Sequence, residues 1–274
     1  APSVKSVSVV VSWFGNDLRC GVCQIRPGVE HSSRDTDPIG WSVNGVSRAS
    51  AHLVSRDSSG RPNFGGTPSD QTVVQTIKAL RNRGYRVTFY PFILMDIPGG
   101  NGLPNPYSDN AAGVGQPKFP WRGRITCSPA AGYAGTVDKT ATALAQVNDF
   151  FGSATPANFD VDGEDVDWIG NSADWGYRRM ILHYAHLCAA AGGVDAFLIG
   201  SELRGLTQVR NDSPGNYPAG WRLRELATAV RSVVGSGTKI SYAADWSEYF
   251  GHHPSDGTGD VYFNLDPLWS HADI

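Results

Sequence analysis

Ala196-Phe197-Leu198-Ile199-Gly200-Ser201-Glu202-Leu203-Arg204 has the pattern of an apolar strand stopped by Gly-Ser and followed at once by a carboxylate. Upstream of it, Tyr177, Ile181, Tyr184, Leu187 and Cys188 fall at helical spacing after a capping Asp174, and the pattern closes at Gly192-Gly193. Downstream, Trp221 to Val234 is helical, Gly235-Ser236-Gly237 breaks it, and Lys239 to Ala244 returns as a strand. Helices that alternate with apolar strands predict parallel strands joined by right-handed crossovers.

The same beat opens the chain. Val7 to Phe14 is a continuous β-branched and aromatic run, expected as a strand buried on both faces. Ser69-Asp70 caps a helix carrying Val73, Val74, Ile77 and Leu80, which ends at Arg83-Gly84, and Tyr85 to Met95 follows as a second buried strand. A helix is expected from about Val137 to Phe151, then a short strand at Phe159 whose end carries Asp160, Asp162, Glu164, Asp165 and Asp167. Strands near 7, 85, 159, 195 and 239 leave a doubly wound sheet and a (β/α)8 barrel as alternatives. Two long Pro/Gly-rich excursions, 16–68 and 96–135, come after strand ends, on the side where barrel enzymes build their sites. No G-x-G-x-x-G or Walker sequence follows the first strand. The expected fold is therefore α/β, a (β/α)8 TIM-barrel-like domain spanning 1–274. With five strands used by residue 244, the last strands of such a barrel would be missing, so a fragment incomplete at its C-terminus is expected. Ala1-Pro2-Ser3, without an initiator Met or signal-peptide pattern, fits an excised piece of a longer polypeptide.

Composition narrows the function classes. The chain has 41% hydrophobic and 18% charged residues, enough apolar material for a folded domain, and a net charge of −3 that argues against nucleic acid as a partner. Its apolar runs are far shorter than the ~20 residues of a membrane span. Eight Trp in a chain only moderately rich in apolar residues point to flat stacking surfaces of the kind that bind carbohydrate. Cys20 and Cys23 form a C-x-x-C pair followed by Arg26-Pro27-Gly28, with Cys127 and Cys188 distant, so structural thiols are expected rather than a metal or redox centre. The acidic run 160–167 lacks the EF-hand spacing and is expected to be solvated, and His252-His253 has no third ligand; no metal or cofactor is expected.

Glu202 is the candidate catalytic acid. At the mouth of a barrel, on rigid backbone in a partly apolar setting, its pKa should rise so that it can donate a proton to a leaving oxygen. The plainer alternative is a strand-end Glu that pairs with Arg204 or caps the next helix. Asp245 and Glu248, directly after the strand at 239, are candidates for a partner or substrate contact, with a solvated acidic loop as the plainer alternative, above all for Glu248, and Trp121 and Trp246 are candidates for stacking on sugar rings.

The chain resembles the TIM-barrel-like domain of the large baseplate protein, or megatron, of gene transfer agents and related siphophage tails. The segments that carry the likeness are Val11 to Cys20 with Ile25 to Glu30, Pro120 to Ile125, Phe197 to Leu203, and Tyr242 to Tyr249. Trp13 and Arg122 lie in these segments and join the expected substrate contacts, with core filling as the alternative for Trp13. The span from Trp175 to Asp245 also resembles the retaining clan of (β/α)8 glycoside hydrolases that includes β-mannanases. There a Gly-Thr-Glu-Leu-like sequence after strand four supplies the acid/base, and Glu202 matches it. Ser201 stands where many of that clan have Asn, and the clan's nucleophile follows strand seven. The resemblance implies a virion or particle component at the tail tip that opens an envelope polysaccharide or peptidoglycan by retaining hydrolysis at the host cell envelope. Other baseplate or hub proteins and a homo-oligomeric assembly are its implied partners. The rival implied role is a barrel without catalysis, serving as a structural or glycan-binding part.

Overall fold

The computed structural model describes residues 3–213 and 216–273. Ala1, Pro2 and Ile274, on which the expected excised start and interrupted end fall, lie outside the described residues. The main sheet has five strands: β1 (Ser6–Gly15), β2 (Ile25–Arg26), β3 (Arg86–Met95), β4 (Ala196–Ser201) and β5 (Lys239–Ala243), ordered β5-β4-β3-β1-β2. The four long strands are parallel, and β2 folds back antiparallel against the end of β1. β1 and β3 pair in register along their whole length, from Ser6 with Arg86 to Gly15 with Met95.

Helices α1 (Asp70–Asn82), α2 (Ala141–Phe151), α3 (Tyr177–Ala190) and α5 (Pro218–Val234) supply the crossovers, and α4 (Arg204–Thr207) and α6 (Asp266–Trp269) are single turns. Ser69 caps α1 through its hydroxyl, as its sequence predicts. Asp174 does not cap α3. Gly176 holds that position, while the Asp174 carboxylate accepts from the amides of Gly176 and Ser153 and so ties α3 to the end of α2.

Two strand expectations change. Phe159–Asp162 pairs antiparallel with Asp165–Trp168 in a hairpin outside the main sheet, so Glu202 follows the third parallel strand rather than the fourth. A four-residue strand with Asp at alternate places cannot bury both faces, and its acidic side chains stay in solvent. β1 and β3 are likewise not buried on both faces. Val11, Trp13, Val87, Phe89 and Ile93 point into the helical layer, whereas Tyr90, Phe92 and Leu94 on the other face are half-buried and Val10 is 53% exposed. The parallel α/β order of a TIM-barrel-like domain is present, but no closed barrel forms among the described residues.

The core lies between the sheet and α1, α3 and α5. Phe89 stacks on Phe197 across β3 and β4, and Tyr184 of α3 packs on Phe89 and Trp13. Trp13, fully buried, donates its indole N–H to the Tyr184 hydroxyl at 2.8 Å. Tyr184→Phe would leave that N–H without an acceptor, for which a loss of about 2 kcal/mol is expected in urea or thermal unfolding. A loss under about 0.5 kcal/mol would show that the bond is dispensable. Among the described residues no helix is long and apolar enough to cross a membrane.

Candidate functional site

The site begins with a backbone irregularity at the carboxyl end of β4. Gly200 has φ +155°, and a Cβ there would overlap the Tyr177 hydroxyl, which donates to the Ile199 carbonyl at 2.7 Å. Two residues later Glu202 itself has φ +52°, a left-handed conformation that costs a non-glycine residue about 1 kcal/mol or more. The turn is pinned to β5 on both sides: the Glu202 amide donates to Ala243 O at 3.0 Å, and the Leu203 amide to the buried Tyr242 hydroxyl at 2.6 Å. Strand-end strain held by hydrogen bonds on either side fixes where the Glu202 side chain leaves the sheet.

Its carboxylate is received by the second long excursion. Arg122 Nη2 donates to Glu202 Oε2 at 2.6 Å and Trp121 Nε1 to the same oxygen at 2.9 Å. Arg122 is buried, 6% exposed, with its guanidinium 3.7 Å from the centre of the Phe92 ring on the open face of the sheet. It also donates to the Ser201 carbonyl and hydroxyl at 2.8–3.1 Å. The plain alternative of a Glu202–Arg204 pair is therefore not what forms. Nor is the surround the partly apolar one expected: a guanidinium and an indole N–H face this carboxylate. Ser201, the departure from the hydrolase clan, has its hydroxyl engaged by Arg122. The Glu202 side chain remains 35% exposed, and Oε1 accepts no hydrogen bond from the described residues.

The other predicted contacts divide. Trp121 and Arg122 meet Glu202 directly. Trp13 is a core residue, because its position on β1 points into the helical layer, and offers no face to a ligand. Glu248 is buried as well. Its carboxylate accepts from Thr207 Oγ1 at 2.9 Å, Tyr242 Oη at 3.2 Å and the Asp245 amide at 2.8 Å, closing a capping box over the turn Trp246–Glu248. Burial pushes its pKa up against those hydrogen bonds. It is a structural strut under the Glu202 turn rather than a substrate contact. Asp245 is half-buried; burial works to raise its pKa, but hydrogen bonds from the Ser247 hydroxyl and amide outweigh it and hold the carboxyl below its usual range. Trp246 projects into solvent, 73% exposed.

Trp246 lies on the wall of a cavity of about 610 Å³ that the Glu202 cluster does not line. Arg204, Gln208, Phe250 and His252 share that wall; the sequence pattern marks Arg204 only as a possible partner of Glu202 and His252 only as half of an incomplete metal pair, and does not mark Gln208 or Phe250. A second polar cluster also escapes the sequence. Asp96, buried directly after β3, accepts from the His52 ring at 2.8 Å and from the Ser55 amide and hydroxyl. Burial opposes its ionisation, but these bonds hold its carboxyl below the usual range. A lone Asp at a strand end, with its partners over forty residues away, carries no local signal. The four cysteines are buried free thiols, and among the described residues no group of three or more His, Cys, Asp or Glu could hold a metal ion.

Residues 175–274 match a family model described as the GTA TIM-barrel-like domain. Two solved structures of a GH113 β-1,4-mannanase, one of them a complex, are similar at 13% identity and a TM-score of 0.39, covering 89% of this chain and 46% of theirs. The chain thus spans about half the length of those structures. No curated protein matches it.

Proposed function

We propose that residues 1–274 form one glycoside-hydrolase-like domain of a gene transfer agent or phage-tail baseplate protein, acting on a bacterial envelope glycan. The observation that carries this reading is Glu202: a carboxylate on strained backbone at the carboxyl end of a parallel strand, oriented by Arg122 and Trp121 and open on its Oε1 side. In this reading Glu202 is the acid/base of a retaining hydrolysis. It protonates the leaving glycosidic oxygen while a second carboxylate attacks the anomeric carbon, and it then takes a proton from the water that releases the sugar. The GTA description of the matched family favours a particle component, with other tail proteins and further copies of the chain as partners.

One observation favours a second reading. Oε2 is already engaged by two donors, which also suits a barrel that has lost turnover and only holds glycan. Incubation of the protein with purified envelope polysaccharide and peptidoglycan, scored by new reducing ends, separates the two. Release of reducing ends supports hydrolysis. Retention of glycan without release supports the binding role, and neither result would discard both.

A further inference from the structure

The cavity beside Trp246 has a lining that its neighbours leave unsatisfied. Trp246 and Phe250, 73% and 63% exposed, meet edge to face with centroids 6.1 Å apart. Two exposed rings in contact on one wall offer flat apolar faces that suit the C–H faces of a sugar ring. The charged groups of the same wall are mostly spoken for. Arg210 donates to Asp138 at 2.6 and 2.9 Å, and Asp256 sits 3.6 Å from Arg210 and 3.4 Å from Lys139.

Arg204 is different. Its guanidinium has no hydrogen bond or ion pair with any described residue; Asp245 feels its charge but is engaged by Ser247 and lies beyond ion-pair distance. The Gln208 carboxamide beside it is also without a protein partner among the described residues. His252 uses Nδ1 on the Tyr217 hydroxyl at 2.9 Å, which leaves Nε2 free. Burial first, then the Arg210 charge, lowers the His252 pKa to about 4, so its ring is neutral near pH 7 and contributes hydrogen bonding rather than charge.

An unpaired fork of guanidinium donors, a free carboxamide and two stacking rings around about 610 Å³ form a complementary set for one ligand chemistry. We propose that this cavity is a binding subsite for a saccharide carrying a carboxylate, with the ring on Trp246 and Phe250 and the carboxylate on Arg204. The proposal rests on the glycan reading above and specifies it: the substrate would be an acidic polysaccharide, bound two residues along the chain from Glu202. Binding and cleavage are separate readouts, so the subsite can stand where hydrolysis fails.

The test is a calorimetric titration of the protein with a uronic-acid oligosaccharide and with its carboxyl-reduced, neutral counterpart. The acidic sugar is expected to bind about tenfold more tightly. Arg204→Gln, at an exposed position where folding is not at risk, should remove that preference while sparing the neutral sugar, and Trp246→Ala should weaken both. Equal affinity for the two sugars, no binding of either, or a preference that survives Arg204→Gln would overturn the proposal. So would tighter binding of a single-stranded oligonucleotide of matched charge. A muramic-acid saccharide with a free lactyl carboxylate, run in parallel, tells a side-chain carboxylate from a ring carboxylate: weaker binding than the uronic-acid sugar places the carboxylate on the ring, and equal or tighter binding shows that Arg204 also accepts it from a side chain.

Discussion

Glu202→Gln is expected to reduce reducing-end release from a cleaved glycan by on the order of a thousandfold while leaving the fold in place, because an amide can neither give up nor take the proton that the two steps exchange. The structure explains why the two effects should separate. Both donors, Arg122 Nη2 and Trp121 Nε1, meet Oε2, and an amide oxygen in that place still accepts from both. The amide nitrogen would replace Oε1, which accepts no hydrogen bond from the described residues. What is lost is the charge on the Arg122 pair, partly exposed on the Glu202 side, so a stability change of about 1 kcal/mol is expected. Rate and melting temperature measured on the same preparation decide it. An undiminished rate removes Glu202 from the mechanism, and a collapsed melting temperature makes it a strut instead.

Arg122 shows where sequence legibility stops. The segment Pro120-Trp121-Arg122-Gly123 stands out locally, as an aromatic and a cation in a Pro/Gly-rich loop. That the guanidinium would bury itself on Phe92 and bind Ser201 and Glu202 depends on residues thirty and eighty positions away. Periodicity recovered β1, β3, β4, β5 and the four long helices because their patterns are local consequences of packing on one apolar layer. It failed at Phe159–Asp162, where four residues are too few to tell a sheet strand from a hairpin. It also overstated burial on β1 and β3, since a run such as Val9-Val10-Val11 does not say whether a second layer covers it. Glu248 failed for a related reason: the sequence Asp245-Trp246-Ser247-Glu248 is equally a solvated acidic loop and a capping box. Only the placement of Thr207 and Tyr242 resolves the choice.

The same dependence on distant residues makes Gly200 the position where the smallest chemical change should have the largest structural effect. Gly200→Ala is expected to destabilise the protein by on the order of 4 kcal/mol, read as a fall in melting temperature of roughly 10 °C. Two causes act together: φ +155° is strained for any residue with a Cβ, and the new methyl would overlap the Tyr177 hydroxyl. Tyr177 has little room to yield, being fully buried with its ring 5.5 Å from that of Phe150 and 5.9 Å from that of Phe151, and its hydroxyl is held by Ile199 O. Tyr177→Phe alone removes one buried hydrogen bond, at about 1 kcal/mol. Combined with Gly200→Ala it also removes the clashing oxygen, leaving the ring carbon at 3.2 Å, close but tolerable. The pair should therefore couple by more than about 1 kcal/mol, the double variant being more stable than the sum of the singles predicts. Strict additivity would mean that backbone strain alone requires the glycine. Coupling would mean that the first residue of α3 sets the end of β4, and through it the direction in which Glu202 leaves the sheet.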